Sequence, residues 1–187
     1  ANDVRNSFAI TAKQKAQANA RTQALQAQQQ AEKDDNKMIQ QTGKAGKASY
    51  KSIMNNWNSI VSNKSKIIVF GDFALCNKDK LTDIVSNLHG YKILVMGNHD
   101  EYSPKFYMQA GFDEVSKYPI LLNEFILCSH EPQYLSENIP YINIFAHVHG
   151  NPMYKTISKQ SACVSVERWG YTPVRMSYLV DLINKAE

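Results

Sequence analysis

The sequence predicts an α/β fold in which polar groups follow the strands and meet at one edge of a sheet. The clearest observation is an apolar run at 67–70 that is closed by Gly71 and Asp72. A helical pattern and a second apolar run at 91–96 follow, which together make a β-α-β unit. Because the two strands of such a unit are parallel neighbours, their carboxyl ends meet where open α/β sheets bind ligands.

The size and composition fit one globular domain with an appendage. The chain has 187 residues, of which 43% are hydrophobic and 20% are charged, as is usual for a globular protein. No apolar run approaches the ~20 residues of a membrane span, and the first residues lack the layout of a secretion signal. We therefore expect a cytoplasmic or phage-associated protein that is neither secreted nor membrane-bound. The formal charge of +4 favours anionic substrates but does not by itself indicate a nucleic-acid binder.

Residues 1–49 differ in composition from the rest and are predicted to form a helical arm and a linker. Within 12–41 the chain is dominated by Ala, Gln, Lys and Asn, which favour helix but supply few large side chains. Alanines recur on one helical face, which suits close packing against another helix, and a solvated arm fits the composition equally well. The arm is thus a candidate for self-association or for binding an assembly partner. Glycines within 42–46 then interrupt the helix.

The globular part, 50–187, contains helices and short strands in alternation. Asn77 and Ser103 are placed to cap helices, and Gly111 is placed to end one. Helices are predicted at 50–61, 77–88, 103–110 and 179–186. After the first two strands, further strands are predicted at 118–122, 125–129, 142–145 and 162–166, the first two of them joined as a hairpin.

Most of the histidines follow predicted strands rather than lying within them. Four of the five do so, namely His99, His130, His147 and His149, and Asp72 and Asn98 follow the first two strands in the same way. For a single histidine, a surface or core role would be the better interpretation, but this repeated placement favours a metal centre. Imidazole, carboxylate and amide oxygen suit Mn, Fe, Ni or Zn, and the lack of nearby cysteines argues against a structural zinc site.

The pair His147 and His149 sets a condition on the local backbone. A strict strand is not expected to aim both rings at one ion. A turn at this point, or two adjacent ions, would let both rings contribute.

The order of these motifs resembles the calcineurin-like metallophosphoesterases. The resemblance is carried by Gly71-Asp72, by Gly-Asn-His-Asp at 97–100, by His130 and by the His-x-His pair at 147–149. Within that superfamily, the segments at 56–58, 70–75, 147–152 and 164–173 are similar to the small bacterial and phage phosphoesterases. The resemblance implies a metallophosphoesterase-like β-sandwich of mixed sheets flanked by helices, to which the Ala/Gln-rich helical arm is added.

The resemblance also implies a centre for two metal ions. Asp72 would bridge the two ions. Asn98, His130 and His147 would complete the shell of one ion, and His149 would join the shell of the other.

Two further residues take catalytic roles by the same resemblance. His99 would donate a hydrogen bond or a proton to the leaving-group oxygen, and Asp100 would orient His99. The implied reaction is hydrolysis of a phosphate monoester or diester, nucleotides included, by a metal-activated water.

One motif of the family is missing from this sequence. The family opens with Asp-x-His after its first strand, but no histidine precedes His89. The nearest equivalent of that strand is 7–11, which is followed by Ala12 and Lys13. We therefore expect one firmly bound divalent ion, with the second metal position weakened or lost.

Three hypotheses about function stay open. The first is a metal-dependent phosphoesterase. The second is a degenerate phosphoesterase that binds a metal or a phosphate ligand without turnover. The third is a structural or adaptor protein, in a phage particle for example, that acts through the arm at 12–41. The intact Asn98-His99-Asp100 and His-x-His groups favour the first hypothesis, whereas the missing motif and the arm favour the others.

Overall fold

The computed structural model describes residues 49–186. The described residues belong to one compact unit, which lies within Met38–Glu187. The strand predicted at 7–11, the helix predicted within 12–41 and the linker at 42–46 lie outside the described residues. Across 49–186, none of the helices has the length and apolar character needed to cross a membrane.

Alternating strands and helices build the first sheet. Its strands are β1 (Lys66–Val69), β2 (Tyr91–Val95) and β3 (Glu114–Ser116), in the order β1-β2-β3, and both pairings are parallel. Helix α1 (Tyr50–Ile60) precedes β1, while α2 (Lys78–Ser86) and α3 (Pro104–Ala110) connect the strands. The predicted β-α-β unit is confirmed, so the loops after β1 and β2 lie at the same edge.

Local capping explains where the two connecting helices begin and end. The side chain of Asn77 accepts a hydrogen bond from the Lys80 amide, and that of Ser103 accepts one from the Phe106 amide. Gly111 ends α3 with φ +116°, in the left-handed region that favours glycine. These caps are the ones that the sequence predicts.

The second sheet has five strands in the order β4-β5-β6-β8-β7. They are β4 (Ile120–Leu122), β5 (Ile126–Ser129), β6 (Ile142–Phe145), β7 (Ile157–Ser158) and β8 (Ser161–Cys163). β5, β6 and β8 are parallel neighbours, whereas β4 and β7 pair antiparallel with the strands that follow them. The predicted hairpin between β4 and β5 is confirmed. A 3-10 helix (Val166–Trp169) and helix α4 (Met176–Asn184) complete the described residues.

Two apolar clusters form the core, and β1 contributes to both. One contains Leu81, Val85, Leu94, Tyr107, Ala110 and Phe112. The other contains Ile126, Cys128, Ile144, Ala162, Leu179 and Ile183. Val69 packs against the first cluster, and Ile68 and Phe70 pack against the second. Because β1 contacts both clusters, the loop that follows it lies between the two sheets.

The prediction of a metallophosphoesterase-like sandwich of mixed sheets is wrong. The first sheet is parallel in both of its pairings, and only the second sheet mixes strand directions. The described fold is a mixed α/β arrangement in which parallel pairing dominates. Sequence reasoning did not identify β3, because a three-residue strand with the sequence Glu-Val-Ser lacks an apolar run. β3 is the strand that extends the first sheet in a parallel sense.

Candidate metal centre

Two pairs of parallel strands, one pair in each sheet, deliver polar side chains to one place. Asp72 follows β1, Asn98 follows β2, His130 directly follows β5, and His147 follows β6. The His130 carbonyl accepts a hydrogen bond from the Ala146 amide at 3.0 Å, so the loops after β5 and β6 lie side by side. The carboxyl ends of strands from both sheets thus meet at this centre.

The candidate ligand atoms are close together. The ligand atoms of Asp72, His130 and His147 lie within 4.8 Å of one another. His130 Nε2 is 3.3 Å from Asp72 Oδ2, 3.0 Å from Asn98 Oδ1 and 3.0 Å from His147 Nδ1. The His130 and Asp72 side chains are only 6% and 16% exposed. The structure therefore groups four of the residues that the sequence singled out.

The hydrogen bonding of His130 determines which of its ring nitrogens is free. Its Nδ1 lies 2.7 Å from the carbonyl oxygen of Phe70, which can only accept, so Nδ1 carries a hydrogen. In the neutral ring, Nε2 then holds a lone pair and faces the Asp72 carboxylate and the Asn98 amide oxygen, which are also acceptors. Acceptors that face one another without a donor need a cation between them. A proton on His130 meets that need, and so does a divalent ion with nitrogen and oxygen ligands.

The pKa shifts of Asp72 and His130 favour opposite charges on the two side chains. Burial acts to raise the pKa of Asp72, but the hydrogen bonds with the His130 ring and the His99 amide outweigh it and lower that pKa. Burial acts to lower the pKa of His130, but its hydrogen bonds with Asp72 and Phe70 outweigh it and raise that pKa. A metal-free centre thus favours an ionised Asp72 beside a protonated His130.

We expect Asp72→Asn to destabilise the metal-free protein most between about pH 4 and 6.5, the ordinary pKa values of the two side chains. The lowered pKa of Asp72 makes its contribution present above about pH 4 and lost as the pH falls through the folded-state value. The raised pKa of His130 makes its contribution complete below about pH 6.5 and lost as the pH rises through the folded-state value.

Urea denaturation in the presence of a chelator measures this effect. Between those two pH values, the variant should lose about 1.5–3 kcal/mol of unfolding free energy, as for a hydrogen bond to a charged group. The matched control is Asp181→Asn, at an exposed position in α4. A difference between Asp72→Asn and the unmodified protein that stays constant from pH 4 to 8.5 would contradict the assignment of the ion pair.

The backbone of the ligand loops is strained. Asp72, His147 and His149 have φ values of +50°, +56° and +49°, in the left-handed region that side chains disfavour. The Val148 amide donates to the Ala146 carbonyl at 2.6 Å, which closes a γ-turn of the rare positive-φ kind around His147. Such conformations cost about 1–3 kcal/mol each and are concentrated at functional sites. The backbone therefore turns within the His-x-His pair, which is one of the two alternatives that the sequence left open.

Asp100 holds together the loops that follow β1 and β2. Its Oδ2 accepts hydrogen bonds from the amides of Asp72 and Gly97, both at 2.8 Å. Its Oδ1 accepts from the Phe73 amide at 3.1 Å and from the Tyr107 hydroxyl at 3.2 Å. With only 7% of its surface exposed, Asp100 is a buried carboxylate whose charge is satisfied by these four donors.

His99 lies at the exposed margin of the centre. Its amide donates to Asp72 Oδ1 at 2.8 Å, and the residue lines a cavity of about 300 Å³ together with Glu101 and Tyr102. The described contacts of Asp100 are to the loop backbone and to Tyr107, so its implied contact with the His99 ring stays a prediction.

His149 is not part of the described ligand cluster. Its Nδ1 lies 2.7 Å from Glu167 Oε1, and the side chain of His149 is 46% exposed. The adjacent Arg168 donates to the His149 carbonyl at 2.6 Å. Sequence reasoning did not assign a role to Glu167 or Arg168. Two adjacent residues of opposite charge in the otherwise apolar segment after β8 could have indicated one. The second metal position, which His149 was expected to serve, stays a prediction.

A buried amide supports the loop that carries His130. Asn143 in β6 is fully buried, and its Oδ1 accepts from the Gln133 amide at 2.8 Å. Its Nδ2 donates to the Leu127 carbonyl at 3.0 Å and to Ser129 Oγ at 2.8 Å. Sequence reasoning missed this residue because it lies inside an apolar strand. The network anchors the backbone on both sides of His130.

The fold and the site define a mixed α/β protein with a candidate centre for a divalent cation. No protein-family model matches the chain. The chain is 28% identical over 147 residues to the uncharacterized protein MJ1445 of Methanocaldococcus jannaschii, covering 73% of this chain and 76% of that protein. Among solved structures it is similar to AQ665 from Aquifex aeolicus, a protein of unknown function, with a TM-score of 0.57 and 26% identity. That match covers 78% of this chain and 91% of the other.

Proposed function

We propose that the protein is a metal-dependent phosphoesterase that hydrolyses a phosphate monoester or diester, nucleotides included. The observation that carries the proposal is the convergence of ligand atoms from Asp72, Asn98 and His147 on Nε2 of His130. A divalent ion bound there would supply Lewis-acid chemistry and would lower the pKa of a bound water. The ligand types favour Mn, Fe, Ni or Zn.

The residues of this chain would contribute in distinct ways. Asp72 supplies a carboxylate whose lowered pKa keeps it ionised for metal binding. His99, which lines the cavity, would donate a hydrogen bond or a proton to a leaving-group oxygen. Asp100 and Asn143 hold the loops from which these side chains project. The resemblance of the motifs to the calcineurin-like metallophosphoesterases supports the same chemistry.

A second candidate function is binding of a metal or a phosphate ligand without turnover. The observation that favours it is that the ligand cluster of the described residues contains Asp72, His130 and His147 but not His149. A centre that holds one ion lacks the two-metal clamp on the attacking and leaving oxygens. The structural role proposed for the arm at 12–41 concerns residues outside the described part of the chain and stays a prediction.

Hydrolysis of bis-p-nitrophenyl phosphate by metal-stripped protein resupplied with Mn²⁺ tests the proposal. We expect Asp72→Ala to lower the metal-dependent rate by more than about 100-fold, because loss of an outer partner of a metal ligand already costs 10–100-fold. Asp181→Asn, on the exposed face of α4, is the matched control and should retain the rate. Calorimetric titration of Mn²⁺ separates the two functions. Tight Mn²⁺ binding that depends on Asp72 but gives no turnover on monoesters, diesters or nucleotides would support the second function.

A further inference from the structure

We propose that Glu167 is a positioning residue that determines which ring nitrogen of His149 is available. Glu167 holds the Nδ1–H of His149, so that Nε2 keeps its lone pair and can bind a cation. The position of the hydrogen follows from the contact between the two side chains. Its catalytic consequence rests on the proposed phosphoesterase function.

The contact between the two side chains assigns the hydrogen. His149 Nδ1 and Glu167 Oε1 are 2.7 Å apart, the distance of a charge-assisted hydrogen bond. An ionised carboxylate only accepts, so the hydrogen is on Nδ1. When the ring is neutral, Nε2 therefore has no hydrogen and is a nitrogen donor for a metal ion. The 46% exposure of the His149 side chain leaves the ring accessible to a ligand.

The second oxygen of Glu167 leaves the carboxylate open to compensation by a positive charge nearby. Glu167 is only 11% exposed at its side chain, and its Oε2 is buried without a hydrogen-bond partner among the described residues. A carboxylate in this state is incompletely compensated, which costs free energy. Positive charge on the imidazole, from a cation bound at Nε2, strengthens the hydrogen bond to Glu167 and offsets that cost.

Arg168 fixes the backbone of the same histidine. Its guanidinium donates to the carbonyls of His149 at 2.6 Å, Asn151 at 2.8 Å and Tyr154 at 3.0 Å. These bonds hold the loop in which His149 has its φ of +49°. Adjacent residues of one 3-10 helix thus fix the ring and the backbone of His149, which is the support that a precisely oriented ligand requires.

The first test measures which ring nitrogen of His149 carries the hydrogen in metal-free protein. Nitrogen-15 NMR of histidine-labelled protein at about pH 8, where an ordinary imidazole is neutral, should show His149 with its hydrogen on Nδ1. His149→Gln assigns the signal. Glu167→Ala should shift the population toward the Nε2–H form, and Glu167→Asp should restore the Nδ1–H form in part. The proposal would be overturned if the unmodified protein carried the ring hydrogen of His149 on Nε2. It would also be overturned if Glu167→Ala left that hydrogen on Nδ1 to the same extent.

The second test reads the functional consequence. Glu167→Ala should lower Mn²⁺-dependent kcat/KM by about 10–100-fold, as expected for the loss of a ligand's outer partner. Glu167→Gln keeps the size and an oxygen acceptor but removes the charge, so it should keep the Nδ1–H ring and lose less activity. Glu137→Gln, at an exposed loop position, is the matched control. If Glu167→Ala moves the ring hydrogen of His149 to Nε2 but retains full activity, the catalytic part of the proposal is wrong.

Failure of this proposal can be distinguished from failure of the proposed function. If the unmodified protein does not hydrolyse phosphate esters, the phosphoesterase proposal fails, while the NMR result still decides the role of Glu167. Thermal unfolding of each variant shows whether it folds. If Glu167→Ala does not fold, the ring of His149 in the unmodified protein decides the first test, and the activity of Glu167→Gln decides the second.

Discussion

Replacing Gly97 with alanine is expected to disrupt the metal centre. A Cβ at this position would lie 2.7 Å from the Asp72 amide nitrogen and 2.7 Å from His130 Cε1, and it would also meet Asp72 Oδ1. Two of these atoms belong to metal-ligand side chains and the third to backbone, so nothing flexible can move aside. The φ of Gly97 lies outside the left-handed region, which makes the effect purely steric.

Two measurements check the Gly97→Ala prediction. Overpacking should lower the free energy of unfolding by about 1–3 kcal/mol, measured by urea denaturation. Mn²⁺ affinity should fall by more than about 100-fold, since two ligands are displaced at once. The control is Gly150→Ala, where an added Cβ meets nothing within 4 Å and stability should change by less than about 0.5 kcal/mol. Unchanged Mn²⁺ affinity in Gly97→Ala would contradict the close approach of the two loops.

Replacing Asp100 with alanine is expected to have the largest effect on stability. Three backbone amides and the Tyr107 hydroxyl donate to this buried carboxylate, and all four would lose their acceptor. Because a buried unsatisfied donor costs about 1–3 kcal/mol, the variant should lose more than about 3 kcal/mol of unfolding free energy. Metal binding should weaken as well, because the loops that carry Asp72 and Asn98 lose their connection.

A graded series tests whether these hydrogen bonds are the cause. Tyr107→Phe removes one donor and should cost about 1 kcal/mol. Asp100→Asn keeps the size but replaces one acceptor with a donor, so its loss should lie between those of Tyr107→Phe and Asp100→Ala. Asp181→Asn, at an exposed position of α4, should be neutral. Equal stability of Asp100→Ala and the unmodified protein would show that water replaces the carboxylate and that the loops do not depend on it.

Features that depend on neighbours in the chain could be predicted from the sequence. The helix caps depend on local hydrogen bonds and the helix stop on a local φ value. The caps are at Asn77 and Ser103 and the stop is at Gly111, as the pattern predicts. The parallel pairing of β1 and β2 could be predicted as well, because a helical connection of this length joins strands in that sense. The candidate ligands stood out since each follows the end of a strand.

Residues whose roles depend on distant partners were missed. Glu167 and Arg168 act on His149 from 18 and 19 positions away, across a loop and two strands. Asn143 looks like an apolar-strand residue until its buried bonds to Gln133 and Ser129 are known. No periodicity in the sequence marks such contacts, because they form only when separate segments pack.

Local propensity and residue chemistry were enough to predict the strands that precede the candidate ligands, the residues at which α2 and α3 begin, and the side chains available to a cation. How the sheets are built and which candidate ligands share a centre depend on the packing of separate segments and could not be predicted from the sequence. The tertiary structure places Asp72, His130 and His147 within 4.8 Å and turns His149 toward Glu167. It also replaces the expected sandwich of mixed sheets with a parallel first sheet. Strand direction and side-chain convergence depend on which distant segments pack together. The free energy that favours one packing over another comes from contacts throughout the core.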